Sequence, residues 1–219
     1  MHNVTVAFAA LLVMLLSYFF GCFNGSFMVS HFIIRDDVRK HGSGNAGLTN
    51  FYRTYGAKYA LLVIACDMGK TVAACLLGSF FFRCLGWDGT LGTLLAGLGC
   101  ELGHIFPVFY GFRGGKGILC GVSAVFIVDY NAGVIALVVF VLAFLLTRYV
   151  SLGSVLGTIS VPVTLLAKGF SGLCLILACL SVLLVIMKHG ENIVRIIRHK
   201  EPRFVFRRDL SHKLDEDNF

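Results

Sequence analysis

Long apolar runs fill most of this chain, and short polar breaks divide them into seven stretches: roughly 4–34, 58–82, 89–110, 117–128, 132–147, 152–167 and 171–187. A helix needs about 20 apolar residues to cross a bilayer. The fourth run and the two after it fall short of that length. They tilt, begin in a polar cavity or cross only in part, so the pattern predicts about seven spans, with five or six as the alternatives. The first run lacks a basic leader and an A-x-A cleavage signal. It continues in helical-looking sequence to Ile34 and reads as a first span, not a removed signal peptide.

Three strips interrupt the apolar pattern: Gly42-Ser43-Gly44-Asn45-Ala46-Gly47-Leu48-Thr49-Asn50, Gly111-Phe112-Arg113-Gly114-Gly115-Lys116-Gly117, and Ser151-Leu152-Gly153-Ser154. Glycine weakens helices, and hydrocarbon tolerates unpaired backbone only against protein or water. Strips of this kind therefore line a site. Backbone N–H groups, small hydroxyls and fixed cations together cradle an anion, which points to phosphate.

Composition agrees with the spans. The 219 residues are 57% hydrophobic and only 14% charged, against about 25% charged in a soluble domain. No composition shift marks a second globular unit, so residues 1–202 read as one integral membrane domain and 203–219 as a short tail. The eight cysteines form no CxxC pair, which argues against a zinc site or disulfide framework and for reduced packing residues. No metal or cofactor is implied.

The net charge of +7 follows membrane topology and not nucleic acid. With the amino terminus outside, inner loops hold Arg35, Arg39, Lys40, Arg53, Lys58, Arg113, Lys116 and Arg148. The tail adds Lys188, Arg195, Arg198, Lys200, Arg203, Arg207, Arg208 and Lys213. Only Arg83 and Lys168 fall outside, and Lys70 lies within a span. Sixteen inner cations against two predict a cytoplasmic carboxyl terminus. All three strips then share the cytoplasmic face and make one composite site.

Within the first strip, Gly42, Gly44 and Gly47 permit tight turns, while Ser43, Asn45, Thr49 and Asn50 offer short hydrogen-bonding groups. Arg53 follows one helical turn after Asn50, and a guanidinium beside open N–H groups suits a phosphate dianion. Taken alone, such a strip reads as a connecting loop; its density of small polar groups at a membrane surface favours a site. Asp67 and Lys70 share one helical face inside a span, where they pair with each other or with the site. In the second strip, Gly114, Gly115 and Gly117 let backbone approach a ligand beside the mobile Lys116 ammonium. The order is not that of a P-loop. His104 is a candidate general base or a hydrogen-bonded structural histidine, and Glu101 reads as its partner or as facing a wet edge. Lys188 to Glu201 reads as a solvated run at the lipid headgroups.

Taken together, these blocks resemble the bacterial membrane acyl-phosphate:glycerol-3-phosphate acyltransferases, the PlsY family. The matching pieces are Arg39 to Asn45 with Thr49, Asn50 and Arg53; Asp67 and Lys70; Gly103 to Gly117; Arg148 to Ser154; and His189, Asn192, Ile193, Arg195 and Glu201. Their order and spacing hold over nearly the whole chain. The resemblance implies an all-α integral membrane protein of about seven transmembrane helices in a bacterial inner membrane, with its active site on the cytoplasmic side. It implies transfer of an acyl group from acyl phosphate to glycerol 3-phosphate, giving lysophosphatidic acid and phosphate. It further implies that Ser43 and its glycines meet a substrate phosphate, that Arg53 and Lys116 supply charge, and that Ser151, Ser154, Asn192 and Glu201 belong to the site. Cys22, Cys120, Leu48, Thr71 and Arg113 depart from the usual serine, threonine, alanine, glycine and lysine.

The chemistry fits. An acyl phosphate is a mixed anhydride whose leaving group departs readily, so the enzyme's task is to hold two dianions side by side. No Ser-His-Asp set is present, which predicts direct attack by the glycerol hydroxyl, with His104 or a substrate phosphate oxygen taking the proton. A transporter of organic phosphate would place its polar breaks near the midplane in inverted repeats. An acyltransferase using acyl-CoA or acyl-carrier protein is the closer rival. Its HxxxxD pair is echoed only by His31 and Asp36, with nothing around them to support the role.

Overall fold

The computed structural model describes residues 2–205; most of the 203–219 tail, with Arg207, Arg208 and Lys213, lies outside them. Among the described residues every regular element is helical. The first apolar run is not one helix: α1 (His2–Cys22) ends two residues before Asn24, whose side chain caps α2 (Gly25–Met28) by accepting the Phe27 N–H at 3.0 Å. A π-helical turn, Val29–Ile34, completes the span. After a short α3 (Leu48–Tyr55) come α4 (Ala57–Cys84), α5 (Gly89–Ile105), α6 (Ile118–Val128), α7 (Tyr130–Thr147), α8 (Val150–Ala167), α9 (Gly172–Lys188) and α10 (Gly190–Ile197).

Helix α5 is the hub. Nearly all of it is buried, and it packs on α1, α4, α6 and α9. Small residues allow this: a Cβ on Gly103 would lie 1.9 Å from the Tyr18 carbonyl oxygen, and one on Gly99 2.5 Å from that of Met14. In a bilayer such close backbone approach supplies the packing that hydrophobicity cannot. Helices α7 and α8 pair beside this hub. Large side chains such as Phe8, Leu11, Leu61, Phe80 and Leu146 point outward, an apolar belt suited to lipid. All eight cysteines are free thiols.

Five helical segments among the described residues are long and apolar enough to cross, and α9 with α10, bent by 58° at His189, makes a sixth. Eleven-residue α6 is the short one. At 1.5 Å per residue it covers about 16 Å, half of the hydrocarbon thickness. Its brevity has a cause: the loop before it folds back along α5. The Gly114 N–H donates to the Ile105 carbonyl (3.2 Å) and the Gly115 N–H to that of His104 (3.0 Å). Gly117 reaches Glu101, a turn before the end of α5, so α6 starts inside the protein.

Candidate functional site

The three strips, α10 and Glu201 surround one cavity of about 930 Å³. Asn50 builds the first wall. Its amide Nδ2 donates to the carbonyls of His41 (3.0 Å), Val38 (3.1 Å) and Asn45 (3.1 Å), and its Oδ1 accepts the Ser43 N–H at 2.9 Å. The loop needs Gly42 at φ +56°, where a Cβ would also sit 2.3 Å from Asn50 Oδ1. Gly47 precedes α3 without a side-chain cap, which leaves the first N–H groups of α3 without a capping acceptor, and Leu48 and Thr49 beside them line the cavity. A helix start of this kind attracts an anion. Ser43 and Arg53 stand exposed beside it, and Arg53 Nη2 reaches the Pro202 carbonyl at 3.5 Å. Arg39 ties the first strip to the second by donating to the Tyr110 carbonyl at 3.0 Å.

Lys116 projects from the second strip and donates to Asn192 Oδ1. The Asn192 amide donates to Glu201 Oε1 at 2.7 Å, as does Ser151 Oγ, and Arg195 Nε donates to Oε2 at 2.8 Å. One carboxylate thus joins α8, α10 and the segment after it. Burial opposes charge on Glu201, but the hydrogen bonds from Asn192, Ser151 and Arg195 and the guanidinium's charge outweigh it and hold the carboxyl below its ordinary value. Burial acts the other way on Lys116: it lowers the ammonium to about 8 despite the pull of Glu201. Ser154, buried in the first turns of α8, lines the same cavity.

Behind the second strip lies a buried ionic cluster. Lys70 Nζ donates to Asp67 Oδ1 (2.7 Å) and to the Gly21 and Phe23 carbonyls (3.0 and 2.9 Å), which are freed where α1 breaks. Asp67 Oδ1 also accepts the Gly25 N–H at 3.0 Å. The pair inside the span is therefore spent on the break between α1 and α2. His104 Nδ1 lies 3.1 Å from Lys70 Nζ and 3.3 Å from Asp67 Oδ1. Its Nε2 faces Gly115, where a Cβ would come within 2.1 Å. Glu101 does not bond His104; its Oε2 accepts from Ser181 Oγ of α9 instead.

Of the residues singled out from sequence, the structure gathers Gly42, Ser43, Asn45, Gly47, Thr49, Asn50, Arg53, His104, Lys116, Gly117, Ser151, Ser154, Asn192 and Glu201 around the cavity. Gly44, Gly114 and Gly115 stand behind it and shape the loops. His189 and Arg195 also line it; in sequence they fall in the solvated run and among the pieces that match the family, with no site role expected of them. His189 is 3% exposed, and its Nδ1 lies 2.8 Å from the Val185 carbonyl, which can only accept. Its spacing of three from Asn192 was the available signal. Away from this polar end the wall is apolar, with Leu94, Leu98, Val125, Leu137, Phe140 and Val161. The cavity thus joins a cationic mouth to a hydrocarbon bore.

Similarity to known proteins points the same way. A family model described as glycerol-3-phosphate acyltransferase matches residues 11–199. A glycerol-3-phosphate acyltransferase of Finegoldia magna is 39% identical over 190 residues, covering 85% of this chain and 91% of the relative. One of Aquifex aeolicus is 38% identical over 168 residues, covering 77% and 85%. The crystal structure of PlsY (YgiH), an integral membrane glycerol 3-phosphate acyltransferase, matches in its glycerol 3-phosphate form with a TM-score of 0.80 at 35% identity, covering 90% of this chain and 96% of that one. Its lysophosphatidic acid form matches with a TM-score of 0.79 at 34% identity, over the same shares.

Proposed function

This chain belongs to the glycerol-3-phosphate acyltransferase family and is an enzyme of that activity in phospholipid biosynthesis; we propose that it takes its acyl group from an acyl phosphate at the cytoplasmic face of a bacterial inner membrane. The observation that carries this reading is the single cavity with a cationic mouth and an apolar bore. A dianionic headgroup and a hydrocarbon tail fit its two ends.

In this reading the α3 N-terminus, Ser43 and Arg53 hold one phosphate, and Lys116, fixed by Asn192 and Glu201, faces the other. The glycerol hydroxyl oxygen attacks the acyl carbon, the bond from that carbon to the phosphate oxygen breaks, and inorganic phosphate leaves. The hydroxyl proton passes to an oxygen of the donor phosphate. His104 is a positioning residue: Asp67 and Lys70 occupy its Nδ1, and its Nε2 abuts Gly115. The gain comes from juxtaposing two dianions and from charge placed where the phosphate departs. The excess of cations at one end of the helices supports an outside amino terminus and a cytoplasmic mouth, with α6 as a partial crossing that brings the count to seven.

The test uses purified protein and glycerol 3-phosphate with acyl phosphate, acyl-CoA or acyl-carrier protein as donor. Lysophosphatidic acid and free phosphate are expected from the first alone; comparable turnover with either thioester overturns the donor assignment. An acylated protein trapped before steady state overturns direct attack.

A further inference from the structure

One polar pair lies beyond the mouth of the cavity. Glu101 is 1% exposed. Its Oε2 accepts from Ser181 Oγ, and its Oε1 has no hydrogen-bond partner among the described residues. Both side chains line the cavity, and so do the residues three and four positions earlier on each helix: Leu98 and Gly97 on α5, Ala178 and Leu177 on α9. Those positions share a helical face, so the pair sits where the wall turns apolar. A buried carboxyl oxygen left unbonded is costly unless a polar group arrives.

Gly117 closes directly on that oxygen, while Gly121 of α6 leaves a notch the size of a methyl group beside it and Ser181. A Cβ on Gly117 would lie 2.8 Å from Glu101 Oε1; one on Gly121 would lie 4.0 Å from it and 3.8 Å from Ser181 Oγ. Lys116 immediately precedes Gly117, and Ser181 stands eight residues before His189, about 12 Å along the helix. The notch therefore faces the part of a bound acyl chain nearer its carbonyl. Its size admits a small group, and its chemistry offers an acceptor beside a hydroxyl.

We infer that Glu101 and Ser181 form a subsite for a hydroxyl group on the acyl chain, in the half nearer the carbonyl. This rests on the acyl-transfer reading of the cavity. An apolar bore alone would not distinguish a hydroxylated chain favourably, whereas a buried hydrogen-bonding site does.

The test measures inhibition constants of lysophosphatidic acids of one chain length that carry a single hydroxyl at successive carbons from the carbonyl, with the unsubstituted chain as reference. The native enzyme should bind one positional isomer about tenfold tighter than the reference, the order of one buried hydrogen bond. E101V should abolish that ratio, S181A should reduce it, and E101Q, which keeps a polar amide, should retain part of it. Because each variant is judged by a ratio between two ligands, a general loss of activity does not imitate the effect. No preferred isomer, or a preference that survives both E101V and S181A, overturns the subsite. Failure of the unsubstituted lipid to bind the native enzyme would instead remove the acyl-transfer reading, and the subsite with it.

Discussion

Raising the pH from 7 to 9 should strip the charge from Lys116 and with it most of the capture of glycerol 3-phosphate. Burial takes this ammonium from 10.5 to about 8 against the opposing pull of Glu201, a fall worth about 3 kcal/mol against the charged form. In the free enzyme about nine-tenths of the molecules are then charged at pH 7 and about one-tenth at pH 9. Accordingly kcat/KM for glycerol 3-phosphate should drop about tenfold over that interval. The substrate adds no limb of its own, because its second phosphate ionisation lies near 6. A bound dianion favours the charged lysine, so kcat should bend at a higher pH than kcat/KM. Stability moves the opposite way. The folded-state value is below the unfolded one, so the cost of burying the charge is complete below about pH 8 and fades toward 10.5, and this residue's contribution to stability rises through that window. Thermal unfolding recorded beside the kinetics separates the two effects. Removing the ammonium outright, K116A, should cost about 2–4 kcal/mol, or roughly 30- to 1000-fold in kcat/KM. The decisive variant is K116R, which stays charged throughout: slower than the native enzyme because its fork differs, it should lose the limb near pH 8. A limb that persists there in K116R refutes the assignment.

Other consequences follow from the supporting residues. N50A leaves the Ser43 N–H and three loop carbonyls without their bonds, so it should lower stability by about 1–3 kcal/mol and raise KM for glycerol 3-phosphate; melting and saturation curves in detergent check both. G115A drives a methyl group into the His104 ring and should cost about 1–3 kcal/mol through overpacking, with turnover falling more than the melting temperature if the Lys116 loop is what shifts. D67N strands the buried Lys70 ammonium and should destabilise by about 3–5 kcal/mol. The double variant D67N/K70M should lose less than the two single losses added, and strict additivity in that cycle would argue against a coupled pair.

What the sequence disclosed, and what it hid, follows from where each signal lives. The three strips were legible because glycine and small polar residues are expensive in hydrocarbon, and their joint placement followed from the charge pattern; Ser43, Lys116 and Ser154 do meet in one cavity. The break within the first apolar run was hidden because the backbone groups it frees, the Gly25 N–H and the Gly21 and Phe23 carbonyls, find their partners in Asp67 and Lys70, 42 to 49 residues away in sequence. Asn50 looked like a ligand because an amide at a strip's end suits either role. Only the fold shows that its four hydrogen bonds all go to the loop itself, so it shapes the backbone around Ser43. The solvated reading of the run after α9 holds for Glu191, Arg198 and Lys200, which are exposed, and fails at His189, Asn192 and Glu201 for a related reason. Cations beside Asn and Glu look like headgroup contacts until the 58° bend at His189 turns α10 back over the mouth, where Glu201 is 8% exposed and gathers Ser151, Asn192 and Arg195. A polar residue's address in a membrane protein is thus set by helix breaks, and a break is written in the partners that absorb its freed backbone groups.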